Sequence, residues 1–100
     1  WMDQPPPFPN TTRDLAIVVD EGVPAENVLN AIRQSVSGLL AAITLFDVYT
    51  GEHVAEGKKS LAFALEYRSH ERTLTDTEVD KLQAQILHSL EEELGAVLRS

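Results

Sequence analysis

The stretch that most restricts the fold is Ser60-Leu61-Ala62-Phe63-Ala64-Leu65-Glu66-Tyr67. Four large apolar side chains alternate there, without a break, against two alanines, a serine and a glutamate. In an extended chain successive side chains point to opposite faces, so this pattern describes a strand with one buried face and one open face. Such a strand needs neighbours to satisfy its backbone and a second layer to cover its apolar side. An all-helical fold is thereby excluded.

The same reasoning places the other elements. Residues 14–20 read as a strand, with Leu15, Ile17 and Val19 on one side and Ala16 and Val18 on the other. Glu21 and Gly22 break it. Pro24 suits the first turn of a helix, where its missing N–H costs nothing. Val28, Leu29, Ile32 and Val36 then recur at helical spacing until Gly38, which predicts one amphipathic helix of about three turns. Residues 39–50 are apolar and rich in β-forming side chains, so they predict a long strand. Ile43 and Leu45 share one phase of it while Phe46 and Val48 share the other, and a bulge would reconcile them. Residues 51–59, with Gly51 and Gly57, read as a loop leading into the strand 60–68, its hairpin partner. Thr75 and Glu78 form a Thr-x-x-Glu capping box ahead of Val79, Leu82, Ile86 and Leu90, and Gly95 ends this second helix. Ala96–Arg99 remain for a short edge strand.

The order is therefore β-α-β-β-α-β. This is an α+β chain of the split βαβ, ferredoxin-like kind, a four-stranded antiparallel sheet with two helices on one face. The helices are expected over Leu15, Ile17, Val19, Leu61, Phe63 and Leu65. The opposite face then shows Ala16, Val18, Ala62 and Ala64, small residues that permit close approach by a partner. Residues 1–12 hold four prolines and read as an extended lead-in or linker, from which Phe8 is able to dock onto the fold. Residues 13–100 form one domain. Met2 stands behind Trp1, which predicts a piece cut from a longer chain.

Little supports catalysis. The chain has no cysteine, so disulfides and thiolate metal sites are excluded. His53, His70 and His88 have no metal-ligand spacing, there is no nucleophile elbow, and Gly51 and Gly57 flank a hairpin instead of a phosphate-binding turn. No catalytic residue, metal ligand or cofactor is expected. No apolar run approaches the roughly 20 residues that cross a bilayer, which predicts a soluble cytoplasmic domain without a membrane partner.

Charge runs against independent nucleic-acid binding, for the net charge is −8 and phosphate neutralisation supplies most of such affinity. The acids cluster late, however, at Asp76, Glu78, Asp80 and Glu91–Glu93. Lys58, Lys59, Arg68 and Arg72 face only Glu66 and Glu71 in their stretch, leaving it at +2. The two basic pairs flank opposite ends of one strand, roughly 30 Å apart at about 3.3 Å per residue, so they do not form one patch. RNA-recognition motifs share this element order and stack bases on third-strand aromatics. Here that segment reads Lys59-Ser60-Leu61-Ala62-Phe63, and alternation with Leu65 assigns Leu61 and Phe63 to the core.

A more specific likeness rests on blocks in a fixed order. They are Phe8-Pro9; Arg13-Asp14-Leu15-Ala16 with Val18-Val19; Val28 and Ile32-Arg33; Leu45-Phe46-Asp47-Val48-Tyr49 and Gly51; Gly57-Lys58-Lys59-Ser60-Leu61-Ala62-Phe63; Arg72-Thr73-Leu74-Thr75-Asp76 with Glu78-Val79; and Leu94-Gly95-Ala96 with Leu98-Arg99. The chain resembles the ferredoxin-fold anticodon-binding domain that closes the β subunit of bacterial phenylalanyl-tRNA synthetases. That resemblance implies a non-catalytic domain docking on the anticodon stem and loop of phenylalanine tRNA. It also implies a parent class II ligase that uses ATP and magnesium, with its catalytic site in an α subunit and an α2β2 assembly. The remaining β-subunit domains and the α subunit are then partners. Exposed bases and rings beside loops become the RNA-contact candidates: Arg13, Tyr49, Lys58, Lys59, Arg68 and Arg72. Asp47, in an apolar strand, must face solvent or pair with a base such as Arg13. The alternative is a protein-interaction module whose alanine-rich face packs on neighbouring synthetase domains without touching RNA.

Overall fold

The computed structural model describes residues 10–36, 38–69 and 71–99. Residues 1–9 of the expected lead-in, Phe8 among them, and also His70 lie outside the described residues, whereas Thr11 and Thr12 of that lead-in belong to a strand. The elements run β1 (Thr11–Asp20), α1 (Ala25–Ser35), β2 (Leu40–Tyr49), β3 (Lys58–Tyr67), α2 (Asp76–Leu94) and β4 (Val97–Leu98). The strands form one antiparallel sheet in the order β2-β3-β1-β4, the ferredoxin-like arrangement expected from the sequence. β1 is longer than its alternation predicts and takes in Thr11 and Thr12, because β3 extends to Glu66 and Tyr67 and supplies their partners. At the other end Lys58 and Lys59 are strand residues opposite Asp20 and Val19, where the sequence reads as loop.

Strand alternation sets the core. Leu15, Ile17 and Val19 of β1 and Leu61, Phe63, Leu65 and Tyr67 of β3 are buried on one face. Val28, Ala31 and Ile32 of α1 and Val79, Ile86 and Leu90 of α2 pack on them. A fully buried Leu, Ile or Phe contributes about 1.5–3 kcal/mol relative to exposure, so this layer dominates the fold's stability. Tyr67 is fully buried, and its hydroxyl donates to Gln83 Oε1 on α2. Burial pushes that hydroxyl's pKa up to about 12.

Pro24 stands at the N-cap of α1, one position earlier than the first-turn site the sequence suggests. α2 starts as its sequence predicts. The Glu78 amide donates to the Thr75 hydroxyl at 3.1 Å and the Thr75 amide donates to the Glu78 carboxylate at 3.0 Å, completing the capping box. The Thr75 amide bonding the carboxylate is the main cause that lowers the Glu78 pKa, and the Thr75 hydroxyl and Arg72 add to it. Gly95 ends α2 with φ 67°, a left-handed conformation that glycine adopts without strain, and its amide donates to Glu91 O.

Candidate nucleic-acid interface

The face of the sheet away from the helices is built by a phase change in β2. Leu45 lies opposite the buried Phe63, whereas Asp47 lies opposite Ala62 and Tyr49 opposite Ser60. Leu45, Asp47 and Tyr49 share one phase of the sequence, and an unbroken strand would send all three to the same side. The register shift between Leu45 and Asp47 makes Phe46 an extra, unpaired residue, and everything after it turns over. Ile43, Leu45 and Val48 therefore keep to the helix side, and Asp47 and Tyr49 stand on the open face. The bulge anticipated from the sequence is present, and its effect is to aim these two side chains.

The pairing of β4 supplies the next component. The Arg99 amide donates to Ala16 O at 2.9 Å, which continues the β1–β4 ladder by one step and sets Arg99 on the open face. Its side chain crosses the sheet. Arg99 Nη1 donates to Ser60 Oγ at 3.1 Å, and the guanidinium carbon lies 5.5 Å from the centre of the Tyr49 ring. A cation over an aromatic ring at this range contributes about 0.5–1 kcal/mol at an exposed site. Ser60 is buried although it points away from the core. Gly51 follows with φ 140°, and a Cβ there would come within 3.0 Å of the Tyr49 hydroxyl. Glycine at 51 thus leaves the ring its place. Ala16, Ala62 and Ala64 floor the surface beside these groups, and Asp47 is exposed among them.

Chemically the face offers a flat ring, carboxylates that accept hydrogen bonds, with Asp14 and Glu66 in the same phase as Asp47, and a guanidinium that donates them. The small floor lets a planar group settle against the sheet. Among the described residues no group of three or more His, Cys, Asp or Glu side chains is arranged to hold a metal ion.

The sequence-nominated contacts divide. Tyr49 and Lys58 occupy the same end of the sheet, and the Lys58 ammonium pairs with Asp20. Lys59, opposite Val19, has the phase of the helix side and is half-buried. Arg68 follows β3 at the far end, where its amide donates to Leu39 O at 2.9 Å. Arg13 donates to Asp80 at 2.7 Å and to Asp76 at 3.2 Å, tying β1 to the first turns of α2. The hydrogen bond to Asp80 is the main cause of its raised pKa. Arg72 pairs with Glu78. Arg13 and Arg72 are thus already engaged at the capped end of α2, away from Tyr49. Asp47 faces solvent and is not Arg13's partner, which resolves the choice left by the sequence. Arg99 escaped nomination because its place depends on a two-residue strand, although it closes one of the recognised blocks.

A β-α-β-β-α-β chain whose helices back one side of a four-stranded antiparallel sheet, leaving the other side open, is a domain of the ferredoxin-like class. The chain belongs to the ferredoxin-fold anticodon binding domain family, whose model matches residues 6–99. The phenylalanine–tRNA ligase beta subunit of Moorella thermoacetica is 53% identical over 94 residues, 94% of this chain and 12% of that subunit. The same subunit from Bacillus subtilis is 46% identical and that from Clostridium acetobutylicum 44%, each over 94 residues. The chain spans about 12% of the length of these relatives. A solved formyltetrahydrofolate deformylase from Pseudomonas putida KT2440 aligns over 89% of this chain and 28% of that one, with a TM-score of 0.45 at 13% identity, a likeness too slight to bear on function.

Proposed function

We propose that this chain is the anticodon-binding domain of a phenylalanine–tRNA ligase beta subunit and docks its open sheet face on the anticodon stem–loop of phenylalanine tRNA. The observation that carries the reading is the turnover of β2 at Phe46, which turns Asp47 and Tyr49 onto the open face, where Arg99 lies over the Tyr49 ring. Single-stranded RNA is read by stacking unpaired bases on aromatic rings and by hydrogen bonds to base edges. Tyr49 is the stacking surface, Asp47 accepts from base amino groups, and Arg99 donates to bases or phosphates. Lys58, Lys59 and Arg68 are peripheral phosphate contacts. The domain takes no direct part in chemistry. ATP, magnesium and phenylalanine are handled by the parent cytoplasmic ligase through its α subunit, in an α2β2 assembly.

The net charge of −8 sets the expected behaviour. Few phosphates are neutralised by this chain, so its own share of the affinity is modest and depends weakly on salt. Single-strand contacts give a slope of about −0.7 per phosphate in log K against log salt. Titration of the full ligase with the anticodon stem–loop at two salt concentrations tests the reading. Binding that Tyr49→Ala weakens at least fivefold, with amino-acid activation unchanged, is expected. Undiminished binding by that variant removes the sheet face from the interaction.

A second role rests on Val48 and Leu98, which are 55% and 49% exposed on the helix-side margins of the sheet. Those margins suit packing on neighbouring synthetase domains and leave the open face free for RNA.

A further inference from the structure

Phe46 is 55% exposed and stands outside the core cluster. As the extra residue of the bulge it lacks a partner on β3, and β2 is the edge of the sheet. Its chain neighbours are Leu45, half-buried opposite Phe63, and Asp47, exposed opposite Ala62. The other exposed apolar residue of β2, Val48, lies opposite Leu61 and so keeps to the helix side. An exposed ring next in the chain to Asp47, at the edge of the sheet that carries Tyr49, offers a flat surface to a planar, polar-edged ligand.

Phe46 and Tyr49 are three residues apart, about 10 Å along the strand at roughly 3.3 Å per residue. Bases stacked in a continuous helix rise by only about 3.4 Å. One base therefore cannot touch both rings, and two bases that do so must be splayed apart, as sheet-face readers of single strands hold them.

We infer that Phe46 is a second nucleobase platform, which takes an unpaired base of the same RNA loop beyond the base on Tyr49 and so sets the direction in which the loop crosses β2. The inference rests on the anticodon-binding reading above and extends it to a residue at the rim. The bulge then does two jobs, turning Asp47 and Tyr49 outward and presenting the ring that precedes them.

The test uses the full ligase and anticodon stem–loops carrying 2-aminopurine at one loop position at a time. Phe46→Leu keeps an apolar side chain and removes the π face, whereas Phe46→Trp keeps an aromatic ring. Stacking on the wild-type ring is expected to quench 2-aminopurine at a loop position different from the one that responds to Tyr49→Leu. Phe46→Leu should abolish that quench and weaken binding about five- to tenfold, and Phe46→Trp should retain both. If Phe46→Leu binds every probe as the wild type does while Tyr49→Leu loses binding, this inference falls and the anticodon-binding reading stands. If neither substitution changes binding, the anticodon-binding reading itself falls. If Phe46→Leu instead loosens subunit assembly on gel filtration and leaves RNA binding intact, Phe46 is a protein contact and the inference is overturned. Thermal melting of each variant separates loss of a platform from loss of the fold, since Phe46→Trp and Phe46→Leu should melt alike.

Discussion

Arg99 lies over the ring of Tyr49, joining the last described residue of the chain to the edge strand on the far side of the sheet. The guanidinium also holds Ser60 Oγ, so one side chain spans the sheet from Ala16 to β2. Arg99→Ala is expected to reduce affinity for the anticodon stem–loop severalfold without changing the melting temperature appreciably. The salt slope separates its two possible roles. A slope shallower by about 0.7 means that Arg99 meets a phosphate, and an unchanged slope means that it acts by holding the Tyr49 ring.

Arg13 answers to a different set of partners. Asp80 and Asp76 engage it from the first turns of α2, 67 and 63 residues further along the chain. Arg13→Ala should therefore lower the thermal midpoint of the domain and leave its affinity for RNA unchanged. Paired melting and titration of the variant check this, and an affinity loss with normal melting would return Arg13 to the RNA-binding set.

Deletions within β2 offer a geometric check on the turnover. Removal of Phe46 leaves Leu45 opposite Phe63 and Asp47 opposite Ala62, so the ladder straightens while Asp47 and Tyr49 still face outward. Removal of Val48 brings Tyr49 opposite Leu61, on the helix side. The Val48 deletion should lose the response of 2-aminopurine to Tyr49 and at least tenfold in affinity, whereas the Phe46 deletion keeps that response. Val48 is largely exposed, so its deletion costs little packing and the domain remains folded.

Tyr67 carries the alkaline response. The folded protein holds its hydroxyl proton up to about 12, above the ordinary value of 10.0, because burial disfavours the phenolate. The folded state thus binds the proton more tightly than the unfolded state does. The associated stability is complete below about pH 10 and is lost as pH rises through about 12. Urea unfolding across that window should show a falling midpoint, and Tyr67→Phe should flatten the fall. At neutral pH the same variant loses about 1 kcal/mol with the hydrogen bond to Gln83.

Much of the fold was legible because its signals are local. The alternation from Ser60 to Tyr67 fixes one strand's faces, and the Thr75–Glu78 box fixes where α2 begins. The facing of β2 was not, because Ile43 and Phe46 carry conflicting phases and only pairing with β3 shows which residue is extra. Lys58 and Lys59 read as loop, since what makes them strand is Asp20 and Val19, far away in sequence. Tyr49 was nominated for its type and position. Arg99 was beyond reach, as two residues of β4 carry no periodicity and the guanidinium finds its partners 39 and 50 positions back, at Ser60 and Tyr49. Arg13 and Arg72 looked available because their acidic partners lie on another element or across a turn.

The extra residue at Phe46 also divides β2 into two mutational regimes. From Ala42, beyond an earlier register shift at Leu40/Ala42, up to Phe46, odd-numbered positions answer to folding, so Ile43 and Leu45 should reject polar replacements while Ala42 and Thr44 accept them. After it the parity inverts: Asp47 and Tyr49 stand on the open face, where the proposed function makes them answer to RNA, and Val48 is nearly free. A saturation scan of residues 42–49, scored separately for abundance and for tRNA charging, should show the two selections exchanging odd and even positions at Phe46.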